Sequence, residues 1–248
     1  MASGSDAASR YELELRERLA GDYDAAYLAQ HGPWFPSVEI AILREALDLG
    51  PTDVLADFGS GTGRVSTALA PFCRQVIAFD RSPASLRVLE ERARGGNLRN
   101  ISVVEADLTQ PLTEEIRATK AVSVQLLQHI PSALSRRTVM ENVHRLLVPG
   151  GVCVAENEGF SLGRAIRGRP RTTARPGELF LHTFSVGELR KLILAAGLRP
   201  VRVFGCGVMY WTHYAVAPRA LTRLEPWASL VPGAHRVAKF TGIVARKP

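Results

Sequence analysis

Val54-Leu55-Ala56-Asp57-Phe58-Gly59-Ser60-Gly61-Thr62-Gly63-Arg64 is the stretch on which the reading of this chain turns. It opens as a short apolar run with the length and flanks of a buried parallel strand. Three glycines at alternate positions then break the run, and residues 64–70 resume with helical character. A strand, a glycine turn and a helix N-terminus in sequence let backbone N–H groups come close to a ligand.

Working outward, strands and helices alternate. Residues 76–79 predict a second strand ending at Asp80. Ser82-Pro83 predicts a capped helix start, with Leu86, Leu89 and Ala93 on one face. Residues 101–105 predict a third strand running into Ala106-Asp107-Leu108, and residues 121–126 a fourth. A helix with Val139, Val143 and Leu146 on one face precedes a fifth strand at 152–155, which runs into Glu156-Asn157-Glu158. Five strands alternating with helices imply a parallel sheet covered on both faces. Residues 201–204 and 240–245 read as two more strands, the last one antiparallel. Upstream, residues 8–49 read as helices, with Tyr11, Leu15 and Leu19 as an expected apolar stripe.

Composition bounds the function. At 248 residues and 46% apolar content the chain can bury one full core. No apolar run reaches the ~18 residues of a membrane span, and the first residues lack the basic-then-apolar order of a signal peptide. A soluble, cytoplasmic protein is expected. Cys73, Cys153 and Cys206 are too widely spaced for a disulfide framework or a zinc site, so no metal is expected. The net charge of +7 admits a polyanion partner. However, Lys120, Lys191, Lys239 and Lys247 are the only lysines, and so arginine-rich a composition reads as sequence bias rather than as a nucleic-acid surface.

The glycine turn is selective. A phosphate loop needs a lysine and a hydroxyl residue after its last glycine, whereas Arg64-Val65 follow here. A dinucleotide turn spaces its last two glycines by two residues, and Gly61 and Gly63 are separated by one. Asp57 would also disfavour a nearby pyrophosphate; a ligand with a cation and an amino-acid head suits that acid better. In these blocks the chain resembles the class I S-adenosylmethionine-dependent methyltransferases, especially their small-molecule branch (the type 11, ubiquinone-methyltransferase-like enzymes). The resemblance covers about residues 54–204. Further blocks carry it: Asp80 after the second strand, Ala106-Asp107-Leu108 after the third, residues 125–131 after the fourth and Leu147-Val148-Pro149-Gly150-Gly151 before the fifth.

The resemblance implies an α/β fold with a doubly wound seven-stranded, mostly parallel sheet of order 3-2-1-4-5-7-6, the last strand antiparallel. A single domain over 1–248 would comprise an N-terminal helical lid (1–50) and a cofactor-binding core (51–159). An arginine-rich, irregular insertion of little periodicity (160–183) and the rest of the sheet (184–248, with an insertion at 206–236) would follow. S-adenosyl-L-methionine would be the cofactor and S-adenosyl-L-homocysteine the product. Gly59, Ser60, Gly61 and Gly63 with Asp57 would cradle its methionine part. Asp80, next to Arg81, would hold the ribose hydroxyls. Ala106, Asp107 and Leu108 would hold the adenine, and Tyr27 and Gln125 would reach the methionine head. Each acid also has a plain structural reading as a cap or turn residue; three of them at successive strand ends argue against that reading for all.

Methyl transfer needs alignment more than acid–base machinery. His129 is the candidate base where one is required, or else a residue holding its loop. Glu156 is the candidate orienter of the acceptor. Trp34, Phe35, Glu158, Tyr210 and His213 are candidate acceptor contacts, with aromatic core packing and solvated loop carboxylates as the structural alternatives. The expected partner is a small molecule bound by a monomer or homodimer, as in natural-product biosynthesis, with oxygen the first choice of acceptor atom and nitrogen or carbon close behind. An RNA or polyanion methyltransferase using Arg164, Arg167, Arg169, Arg171 and Arg175 is a second reading, and a non-methylating cyclase or binding protein a third.

Overall fold

The computed structural model describes residues 4–113, 115–174, 178–208 and 224–248. Three helices come first: α1 (Gly4–Leu19), α2 (Tyr23–His31) and α3 (Phe35–Leu47). Then β1 (Val54–Phe58), α4 (Arg64–Leu69), β2 (Gln75–Asp80), α5 (Pro83–Gly95), β3 (Ile101–Glu105) and β4 (Ala118–Val124) alternate. They are followed by α6 (Ala133–Leu146), β5 (Leu147–Glu158), α7 (Leu162–Ile166), α8 (Val186–Ala195), β6 (Arg199–Cys206), α9 (Glu225–Leu230) and β7 (Phe240–Arg246).

The seven strands form one sheet of order 3-2-1-4-5-7-6. The pairs among β1 to β5 are parallel, and β7 runs antiparallel to both β5 and β6. This is the expected architecture. Because side chains alternate across a strand, the sheet sorts its apolar residues into two cores. Ala56, Phe58, Ala121 and Cys153 pack on one face with α6 and α8. Leu55, Val76, Val122 and Val154 pack on the other with α3 and α4. Ser82 and Ser132 cap α5 and α6 by accepting from the backbone N–H three residues on.

Three expectations change. The stripe on α1 is not its buried face: Tyr11 and Leu19 are exposed, and Glu12 and Leu15 are buried. The reason is that α1 packs against α5 and a cavity beside it rather than on either core. Strand β4 ends at Val124, because Gln125 takes a left-handed φ of +55° that strand pairing cannot continue. The 160–183 insertion is not irregular throughout. It contains α7 and a small hairpin of Thr172–Thr173 with Leu181–His182, and its Arg164 and Arg171 pair with Glu158 and Glu188. Among the described residues no helix is long and apolar enough to cross a membrane.

The antiparallel end of the sheet is locked by one close contact. Gly242 of β7 lies opposite Phe204 of β6, and a Cβ at 242 would fall 2.1 Å from the Phe204 ring. Gly242→Ala should therefore destabilise the protein by roughly 1–3 kcal/mol or more through overpacking. Urea unfolding followed by circular dichroism would measure it, and Gly242→Ala/Phe204→Leu should recover part of the loss.

Candidate active site

The C-terminal ends of β1, β2, β3 and β4 meet along one edge of the sheet, where open α/β sheets bind their ligands. The loop after β1 is stitched to β2 by two hydrogen bonds, Gly59 N and Ser60 N both donating to Phe79 O at 2.8 and 2.9 Å. Gly63, at φ +88°, sits directly under α5: a Cβ there would lie 2.5 Å from Leu89 Cγ. Gly61, at φ +54°, is the opposite case. A Cβ there would meet nothing within 4 Å, so its face is open towards the cavity.

Asp80 is fixed by the same loop. Gly61 N donates to its Oδ2 at 2.8 Å and Ser82 N to its Oδ1 at 2.9 Å, leaving further lone pairs for a ligand. Asp57 is 1% exposed and accepts from Ser66 Oγ at 2.6 Å. Burial pushes its pKa up to about 6, against the pull of that hydrogen bond and of Arg64. Asp107 is exposed at the far end of the cavity, its Oδ1 accepting from Thr109 N and Oγ1 at 3.0 and 2.7 Å.

One cavity gathers Asp57, Gly59, Ser60, Gly61, Asp80, Arg81, Ala106, Asp107, Leu108, Gln125 and His129. It also takes in Glu12 and Arg16 from α1, which no sequence motif singles out. Glu12 is buried, lies 3.6 Å from Arg16, and accepts from Phe180 N at 3.3 Å, tying α1 to the 160–183 insertion. Burial raises its pKa against the pull of Arg16. Docking of α1 against α5 brings these two side chains in, and no local motif encodes that.

Several expected contacts stand elsewhere. His129 is hydrogen-bonded at both nitrogens, its Nδ1 lying 2.8 Å from Phe180 O and its Nε2 3.2 Å from Gln128 Nε2. A carbonyl only accepts, so Nδ1 carries the proton and the Nε2 lone pair takes the Gln128 amide hydrogen. Burial lowers its pKa to about 3, and the neutral ring has no lone pair to spare as a base. It holds its loop instead. Phe35 is fully buried against Tyr27, His31 and Phe240, and half-buried Trp34 precedes α3; neither lines the cavity. Tyr27 lies behind the cavity wall, its hydroxyl donating to Glu39 Oε1 at 3.4 Å. Glu156 is fully buried beside Glu39, and burial followed by that neighbour raises its pKa well above the carboxylate range. It reaches no acceptor there. Glu158 pairs with Arg164 at 2.6 Å and Lys239 at 2.9 Å, so its charge is spent within the fold. Tyr210, His213 and Arg175 lie outside the described residues. Among the described residues no three metal-ligating side chains gather.

A family profile described as a methyltransferase domain matches residues 55–151, the segment that holds the glycine loop and the three strand-end acids. Residues 55–151 are a class I S-adenosylmethionine-dependent methyltransferase domain. The fold around it is shared more widely. N-methyltransferase NodS from Bradyrhizobium japonicum, solved with S-adenosyl-L-homocysteine, superposes with a TM-score of 0.65 at 18% identity, covering 96% of this chain and 98% of that one. The [4+2]-cyclase SpnF gives a TM-score of 0.60 at 17% identity over 84% and 80%. In sequence, chondramide synthase cmdD of Chondromyces crocatus is 27% identical over 78% of this chain but only 5% of its own length. Across the curated relatives it matches, the chain spans from 5% to 53% of their length.

S-adenosylmethionine is the cofactor typical of such a methyltransferase domain, and the residues present fit it. Gly61 leaves open space where a side chain would stand. The Ser60 hydroxyl is buried in the cavity wall and has no hydrogen-bond partner among the described residues. Asp57 is a desolvated carboxylate suited to an ammonium group.

The shift at Asp57 sets a pH dependence. An α-ammonium titrates near 7.7–8.0, so below neutrality the ligand stays cationic while Asp57 takes up a proton as pH falls through about 6. Affinity for S-adenosylhomocysteine should therefore weaken between pH 7 and 5, with proton release on binding below pH 6. Calorimetry in buffers of different ionisation enthalpy would test this. In Asp57→Asn the affinity should be lower, and this step should be gone.

Proposed function

We propose that this chain transfers a methyl group from S-adenosylmethionine to a small organic acceptor at oxygen or nitrogen, in a biosynthetic rather than a nucleic-acid context. The observation that carries the reading is the order of acids along one cavity: buried Asp57, loop-held Asp80 and exposed Asp107. They stand at the ends of the adjacent strands β1, β2 and β3, an order that suits the ammonium, ribose and adenine parts of one ligand. The cofactor supplies an electrophilic methyl group. The chain's own residues bind it, orient it and exclude water. Asp57 holds the ammonium, Asp80 accepts from the ribose hydroxyls in charge-assisted bonds, and Asp107 accepts from the adenine amine. Helix α1 covers the cavity through Glu12 and Arg16.

With His129 engaged at both nitrogens, the acceptor is one that already presents a free lone pair near neutral pH, such as a carboxylate, an acidic phenol that ionises there or a weakly basic aromatic amine, and alignment supplies most of the rate enhancement. A small acceptor is favoured because α1 and the 160–183 insertion meet over the cavity at the Glu12–Phe180 hydrogen bond. The polyanion reading is weakened because Arg164 and Arg171 spend their charge on Glu158 and Glu188.

A labelled-methyl assay with whole-cell extract of the source organism, followed by mass spectrometry, should yield a labelled low-molecular-weight product and one S-adenosylhomocysteine per turnover. Turnover without S-adenosylhomocysteine would favour the cyclase reading, and labelled RNA the polyanion one. Asp80→Ala should weaken S-adenosylhomocysteine binding about tenfold or more through the lost charge-assisted bonds. Absence of binding to the wild type would overturn the cofactor assignment.

A further inference from the structure

Behind the cavity wall lies a buried polar cluster that no cofactor contact accounts for. Glu39 of α3 is fully buried. Its Oε1 accepts from Gln125 Nε2 at 2.8 Å and from the Tyr27 hydroxyl at 3.4 Å, and its Oε2 pairs with the Arg64 guanidinium. That guanidinium also lies 4.3 Å from the Tyr27 ring centre. Gln125 and Arg64 both line the cavity, and Glu39 itself does not. One carboxylate from an N-terminal helix therefore holds two cavity-wall side chains from behind.

The chemistry of the pair fixes more than position. A carboxylate paired with arginine only accepts, so the end of the Gln125 amide turned towards Glu39 has to be its NH2 group. The second amide hydrogen faces the Tyr27 hydroxyl at 3.1 Å. Both donors are thereby used, and no hydrogen bond reaches Gln125 Oε1 among the described residues. The backbone is constrained as well. Gln125 holds φ +55°, costly for a residue with a side chain, and its N–H donates to Glu156 O at 2.7 Å. An outlier kept at a cavity wall is the kind of strain a binding site retains.

We propose that Glu39 is a positioning residue that sets the Gln125 amide with its carbonyl oxygen towards the cavity, where it accepts from the ammonium group of the ligand's amino-acid head. This rests on the cofactor reading above and adds a second acceptor for that ammonium besides Asp57. In Glu39→Gln the residue presents an amide of its own, which can donate as well as accept, so nothing dictates which end of Gln125 faces the ligand.

The test is calorimetric, with two probes: S-adenosylhomocysteine, and 5′-methylthioadenosine, which keeps the adenosine and the sulfur but lacks the amino-acid head. In Glu39→Gln, S-adenosylhomocysteine should bind about tenfold or more weakly, as expected for losing a hydrogen bond to a charged group. Affinity for 5′-methylthioadenosine should stay within about twofold of wild type. Equal weakening of both probes, or of neither, overturns the proposal. Glu39→Gln leaves Arg64 unpaired and the variant can fail to fold, so Gln125→Met decides independently. It keeps the side-chain length, removes the acceptor, and should show the same head-specific loss; wild-type affinity in Gln125→Met overturns the proposal. Wild-type protein that binds neither probe would instead sink the cofactor reading beneath it.

Discussion

Ionised carboxylates are costly to bury, and this fold buries several beside one sheet edge. Asp57, Glu39, Glu156 and Glu158 are each at most 5% exposed. Burial of an unpaired charge costs several kcal/mol, so each must be neutralised, paired or supplied with donors. The surrounding structure follows from how that is done. Ser66 is turned towards Asp57, Arg64 is drawn under Tyr27 to meet Glu39, and Lys239 and Arg164 converge on Glu158. Among the described residues no donor reaches either oxygen of Glu156, and burial beside Glu39 favours its neutral form. Asp57 alone faces the cavity with little more than a hydroxyl, which is why it remains available to a cationic ligand.

The fold was legible because its signals are local. A five-residue apolar run, a glycine turn and a helix start recur with acids at the strand ends, and a parallel sheet is the arrangement that satisfies them all. The reversal at β7 was legible too. Less readable were features set by docking. The Tyr11, Leu15 and Leu19 stripe has helical spacing, yet only Leu15 is buried, because α1 turns towards the cavity. Glu12 and Arg16 occupy positions that periodicity marks as surface. For Glu156 and Glu158 the sequence located the sheet edge correctly and could not tell which face of β5 each side chain occupies. Asn157, between them, faces the opposite way and accepts from Gln128 N.

The candidate site divides along the same line. The glycine loop and the acids proposed to hold the cofactor lie in one continuous segment, so their order survives in the sequence. Glu12 of α1 and Phe180 of the 160–183 insertion, by contrast, come together beside the cavity only through a tertiary contact, their hydrogen bond at 3.3 Å. The same fold occurs in an N-methyltransferase and in a [4+2]-cyclase, so the sheet alone does not fix the chemistry.

The place of β7 has a consequence for the order of folding. It is the last strand in sequence, yet it lies between β5 and β6. Until residues 240–246 have left the ribosome, β5 can only present an unpaired edge and β6 has no neighbour in the sheet. The five parallel strands can pair beforehand, since their contacts all lie upstream of residue 158. Synthesis therefore separates a parallel half, which carries the glycine loop and can assemble early, from a final insertion step that closes the edge. In that interval the exposed rim of β5 is the surface most open to mispairing with another chain.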